Sequence, residues 1–100
     1  MVYLVSFALK PMQNIDLLQG VTPTSVDVVV NHIKSVGPWA RVNPQLWLVH
    51  TNTMRAAQVR DHIWNAMQQG DVLFVVRLQR EWGAYNFDPD VVRWLEQVKF

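Results

Sequence analysis

Residues 72–78, VLFVVRL, are apolar at every position but one. Successive side chains of a strand point to opposite sides of a sheet. One side of this segment would therefore carry Val72, Phe74, Val76 and Leu78, and the other Leu73, Val75 and Arg77. Two further segments behave the same way. Residues 2–9 place Val2, Leu4, Ser6 and Ala8 opposite Tyr3, Val5, Phe7 and Leu9, and residues 46–51 place Leu46, Leu48 and His50 opposite Trp47, Val49 and Thr51. A strand with one solvated face alternates apolar with polar residues. These strands do not, so the pattern predicts a sheet with two faces to cover.

Between the strands the period changes. Thr22-Pro23-Thr24-Ser25 reads as a helix start, with Pro in the first turn and hydroxyls to accept from unpaired backbone N–H groups. Val26, Val29, Val30 and Ile33 follow at helical spacing, and Gly37-Pro38 ends the run. Residues 39–42 and 46–51 form a hairpin about Asn43-Pro44. Asn52-Thr53 is read as the cap of a helix over about 54–68, with Ala56, Val59, Ile63 and Met67 on one side and Gly70 at its end. Residues 10–22 read as a loop with a short turn near Ile15–Leu18. Asp88-Pro89-Asp90 opens a last helix carrying Val91, Leu95 and Val98. The order is β-α-β-β-α-β plus a C-terminal helix. That is the ferredoxin-like α+β arrangement, an antiparallel sheet with both main helices on one face, in a single domain spanning residues 1–100.

Two helices cover one face only. The last helix, about 10 residues and about 15 Å long, covers part of the other. An uncovered face of this composition exceeds what monomers usually expose. The expectation is a two-fold homodimer packed sheet to sheet. Its interface would draw on Leu4, Ser6, Ala8, Trp47, Leu73 and Val75, with Trp82 and Tyr85 from the aromatic stretch REWGAYNF. Alternation leaves open which face is core and which is interface. The competing arrangement is a monomer whose C-terminal segment covers its own sheet.

Composition narrows the chemistry. The chain is half apolar with 17% charged residues, so it can build one core. It has no cysteine, which removes disulfides, thiolate metal sites and cysteine nucleophiles. No apolar run is long enough to span a membrane and no secretory pattern is visible, so a cytoplasmic protein is expected. Formal net charge is only +1, so a nucleic-acid surface would have to come from local clustering. The candidates are Lys10, Lys34, Arg41, Arg77 and Arg80. His32, His50 and His62 fall on three separate elements with no i, i+4 pair, and His62 is expected to face solvent. Asp88 and Asp90 read as helix-capping groups rather than a catalytic pair.

The ordered set WARVNPQLWLVHT, QVRDHI and GDVLFVV resembles the small CRISPR-associated adaptation nucleases of the VapD-like and SinR-like superfamily, over about residues 1–85. The resemblance implies a ferredoxin-like fold, a face-to-face dimer, and a divalent metal held by an acidic residue at the end of the first strand. Here the corresponding pair falls on Phe7-Ala8, and a methyl group cannot ligate Mg²⁺. The expectation is therefore a dimeric binding or scaffold protein without catalytic or metal-binding residues and without a cofactor. Such a protein, from a phage or mobile element, would act on a nucleic acid or a host protein. The alternative is a Mg²⁺-dependent endoribonuclease or deoxyribonuclease using a displaced carboxylate. Incubation with RNA and DNA in the presence of Mg²⁺ should give no cleavage. Reproducible cleavage lost on Asp16→Asn or Asp71→Asn would select the alternative.

Overall fold

Val2–Ala8 forms β1, which runs through the interior of the sheet with a strand bonded on each side. The computed structural model describes residues 1–100. After β1 come α1 (Asn14–Leu18), α2 (Val26–Lys34), β2 (Trp39–Asn43), β3 (Leu46–His50), α3 (Ala56–Trp64), β4 (Val72–Leu78) and α4 (Pro89–Gln97). The four strands make one sheet in the order β2-β3-β1-β4. β1 is antiparallel to both neighbours, and β2 is antiparallel to β3 with an irregularity between Arg41 and Asn43. The class is α+β, as expected. The additional helix α1 lies where the sequence reads as a loop, so the expected order is interrupted between β1 and α2.

Register decides the faces. Val5 sits opposite Trp47 on one side and Val75 on the other, so these three share a face with Tyr3, Phe7, Val49 and Leu73. α2 and α3 cover that face. Val29 and Ile33 of α2 and Val59 and Ile63 of α3, at i, i+4 in each helix, pack with Tyr3, Val5, Phe7, Trp47 and Val49 into the main core. Its polar atoms are satisfied locally: the Tyr3 hydroxyl donates to the Met54 carbonyl at 2.8 Å, and the Trp47 indole N–H to the Pro44 carbonyl at 3.3 Å. The expected interface residues Trp47, Leu73 and Val75 therefore lie on the helix-covered face. Trp47 is fully buried within the core, while Leu73 and Val75 pack against it.

α4 crosses the opposite face. Val91 and Leu95 pack against Ala40 and Leu48, with Leu4, Val42, Leu78, Trp82, Phe87, Trp94 and Phe100 around them. Leu4 and Trp82, also expected at the interface, belong to this second cluster. The Asp88 carboxylate caps α4 by accepting from the Asp90 N–H at 2.8 Å, as its position suggested.

One helix is shorter than its sequence pattern suggested. α3 begins at Ala56 and ends at Trp64. Thr51 Oγ1 accepts the N–H of Thr53 at 3.2 Å, a side-chain turn that competes with helix and keeps Asn52 and Thr53 outside it. The Gln58 side chain then accepts the Arg55 N–H at 2.8 Å at the true start. At Gly37 a Cβ would collide with the His50 carbonyl oxygen, so only glycine lets the end of α2 turn into β2 here.

Trp47 fills the centre of the main core, so Trp47→Ala should cost about 3–5 kcal/mol. Urea unfolding followed by circular dichroism checks this. A shift of the midpoint too small to correspond to about 1 kcal/mol would contradict its placement in the core.

Candidate functional site

α4 leaves half of its face uncovered. Leu4 pairs with Val76, Ser6 with Phe74 and Ala8 with Val72, which sets these six side chains on one surface. Leu4 lies under α4, while Val72 and Phe74 are each 60% exposed and Val76 37%. Ala8 is exposed beside them and Ser6 half-buried. β4 is also an edge strand, so one row of its backbone groups faces no partner strand. The result is an uncharged apolar strip at the β1 C-terminal end of the sheet. Tyr85, 96% exposed, is the remaining member of the expected interface set that meets no core.

The five basic candidates do not form one surface. The Lys10 ammonium lies 3.8 Å from the Asp16 carboxylate, just past the end of β1. Lys34 and Arg41 gather at the β2 edge. There the Lys34 ammonium sits 4.6 Å from the Trp39 ring and the Arg41 guanidinium 5.5 Å from the Trp47 ring. Arg77 and Arg80 line a cleft with Leu78, Gln79 and Phe100 at the far end of β4. A second cleft shares Arg77 and brings in Arg55. Arg55 was not among the sequence candidates, because no spacing links it to Arg77; the fold alone joins them.

The acidic groups are occupied structurally. Asp71, just before β4, is buried and takes three hydrogen bonds: the Thr24 hydroxyl at 2.5 Å, the Lys10 N–H at 2.7 Å and the Gln68 N–H at 2.9 Å. It ties the end of β1, the segment before α2 and the turn after α3 to the start of β4. Burial by itself would raise its pKa. The Thr24 hydroxyl, the two backbone N–H groups and the nearby Lys10 charge outweigh it and hold the carboxyl below the ordinary aspartate value. No three His, Asp or Glu side chains come together as a metal site.

The histidines are not all separate. His32 and His62 meet across α2 and α3 with ring centroids 5.6 Å apart, and the His62 Nε2 lies 2.6 Å from the Ser35 hydroxyl. His62 is thus half-buried and partnered rather than simply solvent-facing. His50 ends β3, and its Nε2 is buried without a hydrogen-bond partner. Burial first, and then the Met1 amino group, lower its pKa, against a hydrogen bond from the ring to the Lys99 backbone carbonyl that raises it.

These shifts fix the acid limb of stability. A neutral folded His50 resists the proton that the unfolded chain takes up near its ordinary value of 6.5, so stability falls as pH drops below that value. Asp71 contributes above its ordinary value of 3.8, and that contribution is lost as pH falls through its depressed folded value. Asp71→Asn should therefore destabilise the protein by about 1–3 kcal/mol near neutrality and flatten the loss at the most acid end. Unfolding midpoints across the pH range check this. An unchanged acid limb in the variant would contradict the role given to Asp71.

No protein-family model, no curated protein and no solved structure matches the chain, so the resemblance to the adaptation nucleases rests on the sequence segments themselves.

Proposed function

We propose that the protein is a non-catalytic, homodimeric binding or scaffold protein, with its sheet order read as ferredoxin-like around an inserted α1 and an appended α4. The observation that carries this reading is the uncovered strip of Val72, Phe74 and Val76 beside Ser6 and Ala8. It is uncharged, so a second copy meets it without like-charge repulsion. An isologous contact covers both copies at once. Such a dimer is packed sheet to sheet, but over half a face, because α4 occupies the remainder.

The segment leaving β1 adds to the same need. α1 buries none of its residues, and Ile15, Leu17 and Leu18 are exposed. The position expected to hold a metal-binding carboxylate is Ala8, and the Asp71 carboxylate accepts three hydrogen bonds from the fold. Both features favour holding a partner over cutting one. The dispersal of Lys10, Lys34, Arg41, Arg77 and Arg80 favours a protein partner over a nucleic-acid backbone, which is best held by a continuous basic stripe.

Analytical ultracentrifugation at micromolar concentration should show a dimer for the wild type and a folded monomer for Phe74→Glu. Phe74 is exposed in the single chain, so the substitution leaves the core intact. A wild-type monomer at that concentration would overturn the reading.

A further inference from the structure

The end of the sheet where β1 begins carries a cleft of about 660 Å³ whose polar lining includes Tyr3, Asn52, Arg55, Gln58 and Arg77. Its size falls in the range of small-molecule sites. Two guanidinium groups line it and no carboxylate does. The three ion pairs of the chain are Lys10 with Asp16, Arg60 with Asp61 and Arg93 with Asp90, so neither Arg55 nor Arg77 has an acidic partner.

The polar side chains around these arginines are biased the same way. Gln58 uses its carbonyl oxygen on the Arg55 N–H, and Asn52 uses its own on the Met1 nitrogen. The amide NH₂ of each is left as the free end. The Tyr3 hydroxyl is already committed to the Met54 carbonyl. Among these side chains the free amide ends are donors, and the charged side chains of the lining are both cationic. A ligand complementary to this lining is anionic and rich in acceptors. A phosphate dianion answers two forked guanidinium donors better than a single carboxylate does. Met54 and Ala56 supply an apolar wall for whatever the phosphate is attached to.

We propose that this cleft is a binding site for a small phosphate monoester, held by Arg55 and Arg77. Arg77 and Val76 are neighbours on β4 that point to opposite faces, so the cleft and the Val72–Val76 strip lie on different sides of the sheet.

The test is a titration of the full chain, at constant ionic strength in a phosphate-free buffer, with ribose 5-phosphate and with inorganic phosphate. Nitrogen-15 NMR would follow the Arg Nε–H and the Asn52 and Gln58 side-chain amides. The expected result is saturable shifts at these groups, with the ester binding more tightly than inorganic phosphate. Equal binding of the two would support the phosphate site and name free phosphate as its source. Arg55→Gln and Arg77→Gln should each weaken binding by about tenfold, while Arg93→Gln, whose partner is Asp90 on α4, should not. Both cleft arginines are exposed, so their loss does not open the core. Shifts that never saturate, or binding unchanged in both cleft variants, would overturn the proposal.

Discussion

β1 governs the structure because it is apolar on both sides and lies inside the sheet. Tyr3, Val5 and Phe7 require a helical layer on one side, and α2 and α3 supply it. Leu4 requires cover on the other, and the C-terminal helix supplies it there. α4 centres on Ala40 of β2 and Leu48 of β3, and meets β1 and β4 only at Leu4 and Leu78. That placement leaves Val72, Phe74 and Val76 uncovered.

That division places unlike chemistry at the two ends of β4. Near Val72 the surface is apolar on the side of Phe74 and Val76, and the adjoining Asp71 carboxylate is consumed in joining three chain segments. Past Arg77 the surface is cationic, with Arg80 following in the same segment and Arg55 drawn in from the start of α3. β4 therefore links the surface proposed to meet a second copy of the chain with the cleft proposed to take an anion. Neither depends on the other for its shape, because the core beneath both is closed by α2 and α3.

Much of this was legible in the sequence. Apolar runs bounded by turn residues located β1, β3 and β4, the Asn43-Pro44 turn located β2, and the i, i+4 stripes of Val29 with Ile33 and Val59 with Ile63 located the helices that cover them. The face assignment was not legible. Alternation is symmetric when both sides are apolar, so Trp47, Leu73 and Val75 looked as available as Phe74. The start of α3 was missed because Thr53 can either cap a helix or close a turn with Thr51, and the turn prevails. α1 was read only as a short turn near Ile15–Leu18 within a loop, because five residues carry too little periodicity to register as a helix. The cleft was invisible for another reason. Arg55 and Arg77 lie on different elements, and only β1, with Tyr3 opposite Arg77, brings them to one wall.

The central claim is that one half of the second sheet face is covered within the chain and the other is not. Hydrogen exchange measured residue by residue at several protein concentrations tests it most directly. The account predicts that α4 and the β3 and β1 amides beneath it are protected equally at all concentrations, while protection of β4 from Val72 to Val76 rises with concentration as copies associate. Fast, concentration-independent exchange in α4, or protection of β4 that is already complete in the dilute monomer, would contradict it.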